Sequence, residues 1–125
     1  MRLFEKADKR PGLQLVDPAR PWVAIDAWEA RGFLERSHGL LDAPAVGAGR
    51  GLLLRTRQVH TLGMTFPIDT VYLASDGTVL KTKTLKPWRI GPLVLRARWI
   101  IEMDAGEAAR REITPGTRLV KRYRA

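Results

Sequence analysis

Two residues of this chain have side chains suited to proton transfer and a spacing that could bring them together. His60 lies in the run Gln58 to Leu62 and Asp69 ends the run Pro67 to Asp69, with Gly63 to Phe66 between them. If the two runs pair as a hairpin, one register sets His60 opposite Asp69, with Cβ atoms about 4.5–5.5 Å apart. The carboxylate would then raise the imidazole's affinity for a proton and fix its tautomer, which is how a general base is oriented. Thr61 stands beside His60, Arg36 and Arg89 could bring cations, and Met64 and Trp88 could supply apolar walls. These seven residues form the candidate ligand site. A purely structural role is the competing reading, in which His60 and Asp69 satisfy buried backbone or each other.

A second constellation is basic. The formal net charge is +9, and Lys81, Lys83, Lys86, Arg89, Arg96 and Arg98 fall between Asp76 and Glu102 with no acidic residue among them. Clustered cations raise the local concentration of a polyanion such as nucleic acid. Lys81 and Lys83, two apart, share one face of a strand, and Trp88 next to Arg89 could stack on a base. Set against this, Trp88 could instead plug the underside of a sheet. With 16 Arg among 22 basic residues, the charge could also be ordinary solvated surface.

Other chemistries are poorly served. There is no cysteine, which removes disulfides, thiolate ligands and thiol nucleophiles. His38 and His60 are the only histidines and lack metal-site spacing, so no metal is expected. Ser37 and Ser75 lie outside any nucleophile-elbow motif. Asp69 and Glu102 could be imagined as a glycosidase pair, but no sequence rule sets their separation. The stretch Gly47 to Gly51 is glycine-rich, yet the apolar run Leu52 to Leu54 after it suggests a strand rather than the helix a phosphate loop needs. No cofactor is implied.

The elements that must carry these residues follow from patterning. A chain of 125 residues suits one domain with one core. Residues 1–21, with Pro11, Pro18 and Pro21, are expected to form an N-terminal arm with a short strand at Leu13 to Val16, and 22–125 the globular domain. Trp22 to Trp28 alternates as a strand. Asp26 and Glu29 have capping-box spacing, which predicts a helix to about Ser37 ended by Gly39. Pro67 to Ala74 and Thr78 to Thr84 read as strands joined by Ser75-Asp76-Gly77, and Lys86-Pro87-Trp88-Arg89 breaks the pairing. Ala97 to Met103 alternates as a half-buried strand, and Asp104 with Glu107 predicts a short second helix to about Arg111. Thr114-Pro115-Gly116-Thr117 suits a type II turn before a last strand from Arg118 to Tyr123. The expected fold is α+β: a small, mainly antiparallel, partly closed sheet or barrel, with one helix after the first strand and a short one near the C-terminus. The N-terminus lacks a signal-like apolar run and no segment reaches membrane-span length, so a cytoplasmic protein not integral to a membrane is expected.

The segment Val59-His60-Thr61-Leu62-Gly63-Met64-Thr65-Phe66-Pro67-Ile68-Asp69 resembles the central motif of the domain of unknown function 192 family, where His-Thr or Phe-Trp precedes a methionine and then Pro-Ile/Leu-Asp. Further matches are Arg36 with Gly39-Leu40-Leu41, Leu73 through Asp76-Gly77 to Val79, Leu85 to Arg89, Ile101-Glu102 with Ala105-Gly106, and Pro115-Gly116-Thr117, together covering roughly 23 to 120. Gly116-Thr117 departs from the family's usual Gly-Asp, and the secretory or lipoprotein leader that many members carry is not expected here. The resemblance implies a fold but no reaction. The resulting expectation is a small binding or scaffold domain, more a non-enzyme than an enzyme, monomeric by default, with an unknown small ligand or protein partner near His60 and Asp69. Polyanion binding through 81–98 and a small hydrolase or lyase built on His60 and Asp69 are the alternatives.

Overall fold

The computed structural model describes residues 13–30 and 46–123. Their elements are β1 (Leu13–Asp17), β2 (Arg20–Ala30), β3 (Arg50–Leu54), β4 (Ile68–Leu73), β5 (Val79–Leu85), β6 (Trp99–Asp104), the single-turn helix α1 (Glu107–Arg110) and β7 (Val120–Tyr123). All seven strands join one sheet in the order β5-β4-β6-β3-β2-β1-β7. The sheet is mixed, because β2 and β3 run parallel, Asp26 facing Arg50 and Trp28 facing Leu52, while the other neighbours are antiparallel.

The central strands are buried on both faces. In β4 all six residues, Ile-Asp-Thr-Val-Tyr-Leu, are buried, the pattern of a strand covered on two sides and rich in β-branched and aromatic residues. Alternation sends Val71, Leu73, Ile101 and Met103 to one face, where they meet Leu15, Ile25, Ala108 and Leu119. Ile68, Tyr72 and Ile100 go to the other face, against Leu52, Met64, Leu85 and Ala97. The edges read differently: β5 alternates lysine and threonine, and three of the four β7 residues are exposed, which blunts pairing with other chains.

Several expectations are corrected. No barrel forms: β5 and β7 are opposite edges that do not pair as strands. Backbone contact between the turns before them comprises the isolated Thr78–Arg118 bridge and the hydrogen bonds around it, Val79 N–H to the Thr117 carbonyl, Gly116 N–H to the Val79 carbonyl and Leu119 N–H to the Gly77 carbonyl. The two helices of the expected α+β fold reduce to α1 among the described residues. Asp26 and Glu29 are not a capping box, because β2 continues through Ala30. The rest of that expected helix, Arg36 and Gly39 included, lies outside the described residues. Pairing of β2 with β1 and β3 along its length outweighs a local capping signal whose strength is about 1 kcal/mol. Of the expected N-terminal arm the structure describes only residues 13–21, where β1 lies between β2 and β7 and β2 runs from Arg20 across residue 21. Nor is β6 half-buried, since Ile100 and Glu102 are as buried as Ile101 and Met103.

Candidate functional site

Asp69 is the buried carboxylate of the expected site, and its cross-strand partners do not include His60, which bridges Ile90 instead. In the sheet it sits opposite Thr84 and Met103. Its Oδ1 accepts the Thr84 hydroxyl at 2.6 Å, and its Oδ2 accepts the backbone N–H groups of Gly106 and Ala108, both at 3.0 Å. It therefore caps α1, whose own N-cap, Gly106, has no side chain with which to do so. Asp104 and Glu107, expected to form that cap, instead hold the glycine-rich loop before β3. Asp104 accepts the N–H groups of Val46 at 2.6 Å and Gly47 at 3.1 Å, and Glu107 accepts that of Gly49 at 2.7 Å. Burial acts to raise the Glu107 pKa, but the Gly49 N–H and the guanidinium groups of Arg110 and Arg111 outweigh it and hold the carboxyl below its ordinary value.

The pairing of Asp69 with Glu102 as a catalytic dyad is also overturned. Thr70 faces Glu102 while Asp69 faces Met103, and consecutive strand residues point to opposite faces. The two carboxylates thus sit on opposite sides of the sheet.

His60 lies on a loop, not on a hairpin with Asp69. It makes an isolated antiparallel bridge with Ile90, and its half-buried ring accepts the Leu62 N–H at Nδ1, 3.2 Å away, which requires that nitrogen to be free of a proton. Its neighbour Thr61 is fully buried and organises the turn after β5. The Thr61 hydroxyl donates to the Lys86 carbonyl at 2.6 Å and accepts the Arg89 N–H at 2.9 Å. The Thr61 backbone N–H donates to the Arg89 carbonyl at 2.8 Å, and its carbonyl accepts the N–H groups of Trp88 and Met64 at 3.0 Å. Held this way, Trp88 adopts φ 61°, a left-handed conformation that costs a non-glycine residue roughly 1–2 kcal/mol. Its side chain is 65% exposed, so it is not a plug beneath the sheet. Met64, by contrast, is buried in the second core cluster.

The zippering continues along both loops. Gly91 N–H donates to the Val59 carbonyl, Gln58 Nε2 to the Gly91 carbonyl, Val94 N–H to the Arg57 carbonyl and Arg57 Nε to the Leu95 carbonyl, at 2.9–3.1 Å. From the core, the Tyr72 hydroxyl donates to the Pro92 carbonyl at 2.9 Å; burial and the Glu102 carboxylate push its pKa up despite the opposing Thr70 bond. Residues 55–64 and 86–98 thus form one double-loop platform. No acidic residue occurs in either segment, whereas Arg55, Arg57, Lys86, Arg89, Arg96 and Arg98 all do.

At the foot of this platform lies an open cavity of about 560 Å³, lined by Arg55, Thr56, Arg57, Gln58, Leu93, Ala97 and Arg98. Arg55 and Arg57 are functional candidates that the sequence reading passed over. The available signal was an Arg-x-Arg step directly after an apolar strand, in a stretch without acid from Ala43 to Ile68. The expected polyanion surface divides among different places. Lys81 and Lys83 are exposed on edge strand β5. Arg89 folds back onto the carbonyls of Pro87 and Trp88 at 3.2 and 3.4 Å. Arg98 enters the cavity, and Lys86 and Arg96 are exposed elsewhere on the platform. Among the described residues no three His, Asp or Glu gather as a metal site, and no helix is long and apolar enough to cross a membrane.

Comparison with known proteins points the same way as the fold. A UPF0127 protein of Pyrococcus horikoshii is 37% identical over 89 residues, covering 64% of this chain and 77% of its own length. A structure of a protein of unknown function from Novosphingobium aromaticivorans superposes with a TM-score of 0.72 at 19% identity, covering 86% of this chain and 82% of that one. Another, from Sinorhizobium meliloti, whose description suggests a transcription regulator, gives 0.64 at 21% identity, with 87% and 91% covered. At these identities both structures establish likeness of fold alone. The profile described as DUF192, uncharacterized ACR, matches residues 15–121, and the chain belongs to that family.

Proposed function

We propose that this protein is a non-catalytic binding domain for a small anionic ligand carrying an apolar group, taken up in the cavity at the foot of the double-loop platform. The observation that carries this reading is the lining of the cavity: three arginines, Arg55, Arg57 and Arg98, two uncharged polar residues, and apolar Leu93 and Ala97, with no carboxylate among them. Its volume of about 560 Å³ falls within the usual range for ligand sites. Guanidinium groups suit carboxylate or phosphate because they donate in a fixed planar fork. Reaction chemistry has little support, because Asp69 is committed to capping α1 and pairs across the sheet with Thr84 and Met103 rather than with His60. His60, Thr61, Trp88 and Arg89 belong to the same platform, whose residues 55–58 together with Leu93, Ala97 and Arg98 line the cavity.

The test is calorimetric titration with inorganic phosphate and with phenyl phosphate. Saturable binding of one of them that weakens at least about tenfold in Arg55→Gln and Arg98→Gln fits the reading. Absence of saturable binding by both, or equal affinity in the variants, defeats it. A short oligonucleotide is titrated alongside. If it alone binds, with steep salt dependence and loss in Lys81→Gln/Lys83→Gln, the polyanion reading takes precedence.

A further inference from the structure

The upper part of the same platform has a different composition from its foot. Trp88, Ile90, Leu93 and Leu95 are 65%, 69%, 56% and 75% exposed, and all four fall within eight residues of one loop. Leu62, from the partner loop, is 41% exposed. Large apolar side chains this open are scattered singly on most soluble surfaces, whereas a contiguous group marks a contact surface. Arg89 lies among them, and Lys86, Arg96 and Arg98 flank them, again without an acid. The loop is also rigid where it matters. Thr61 holds Trp88 in a left-handed conformation, and Tyr72 and Gln58 tie down Pro92 and Gly91. Backbone strain retained in order to present an exposed tryptophan points to use of that side chain.

We propose that the 86–96 crest docks this protein onto an anionic membrane surface, Trp88, Ile90, Leu93 and Leu95 entering the interfacial region while Lys86, Arg89 and Arg96 meet lipid phosphates. The occupant follows from the mixture. A protein partner for an apolar patch needs no surrounding ring of one charge, and a nucleic acid offers no medium for aliphatic Ile90, Leu93 and Leu95. An anionic bilayer accepts both, with tryptophan at the headgroup level, aliphatic tips just below it and basic residues drawn to the negative surface potential. This docking surface shares Leu93 with the cavity lining, and its other aliphatic and aromatic tips lie outside that lining.

The experiment is co-sedimentation of the full chain with vesicles of phosphatidylcholine alone and with one part phosphatidylglycerol to two of phosphatidylcholine. Binding is expected only to the anionic vesicles, to weaken as salt rises, and to fall at least about tenfold in Ile90→Ser/Leu95→Ser and in Lys86→Gln/Arg96→Gln. These residues are exposed, so circular dichroism should show both variants folded. Arg55→Gln should leave vesicle binding intact, which separates this proposal from the cavity reading. Failure to bind anionic vesicles, or undiminished binding by the apolar variant, overturns the proposal. So does concentration-dependent self-association abolished by that variant without vesicle binding, which would make a second copy the occupant.

Discussion

The Asp69 carboxylate accepts the backbone N–H of Ala108 at 3.0 Å, thirty-nine residues further along the chain. The same oxygen takes the Gly106 N–H and the other oxygen takes the Thr84 hydroxyl, so one side chain ties β4, β5 and α1 together. The motif carboxylate expected to orient His60 is hydrogen-bonded instead to β5 and α1.

Asp69→Ala should therefore destabilise the fold by about 2–4 kcal/mol, since it removes a helix cap and leaves buried donors unsatisfied. Urea unfolding followed by circular dichroism measures this. A midpoint unchanged from wild type would mean that α1 does not depend on the cap.

Thr61→Val keeps the side-chain shape and deletes the hydroxyl that grips Lys86 and Arg89, so a loss of about 1–3 kcal/mol is expected. Trp88→Gly should behave in the opposite sense, being neutral or stabilising by up to about 1 kcal/mol, because glycine adopts positive φ without strain. Marked destabilisation by Trp88→Gly would show that the indole packs more than its exposure indicates.

Two glycines with positive φ separate strain from collision. A Cβ at Gly116 meets nothing within 4 Å, whereas one at Gly77 would stand 2.0 Å from the Leu119 carbonyl oxygen. Gly116→Ala should cost about 1 kcal/mol and Gly77→Ala several times as much. Equal melting temperatures for the two variants would contradict the close approach of the turns before β5 and β7.

Acid should weaken the fold through Glu107. Its folded-state pKa is depressed, so its contribution is present above the unfolded-state pKa and is lost as pH falls through the folded value. Asp17, depressed chiefly by the Arg20 side chain, and Asp76, depressed chiefly by the Thr78 N–H, act in the same direction. Unfolding midpoints measured between about pH 6 and about pH 3 should decline, and less steeply in Glu107→Gln. Parallel curves for the two proteins would remove Glu107 from this role.

The anionic-ligand reading also makes a stability statement. Arg55→Gln and Arg98→Gln should alter stability by no more than about 0.5 kcal/mol, as exposed substitutions do, while phosphate at saturating concentration should raise the wild-type melting temperature and not theirs. Equal thermal shifts in all three proteins would place the anion elsewhere.

Much of the strand content was legible in the residues themselves. Pro67 to Ala74 and Thr78 to Thr84 contain most of β4 and β5, and Leu13 to Val16 falls in β1, because alternation and β-branched composition are properties of near neighbours. The turns were legible for the same reason. Gly77 and Gly116 have positive φ, and the Thr117 N–H closes onto the Thr114 carbonyl at 3.0 Å. The sequence likewise determined that the chain has no cysteine and carries an acid-free basic stretch between Asp76 and Glu102.

What only the tertiary structure decided is which distant groups meet. Asp26 with Glu29, and Asp104 with Glu107, have a spacing that signals a helix start, yet long-range pairing keeps the first pair in β2 and turns the second toward Val46, Gly47 and Gly49. The parallel pairing of β2 with β3, the separation of Asp69 from His60, and the gathering of Arg55, Arg57 and Arg98 around one cavity depend on contacts across tens of residues. A local signal of about 1 kcal/mol yields to the summed burial and ladder hydrogen bonds of a strand held on both sides. That sum exists only once the chain has folded.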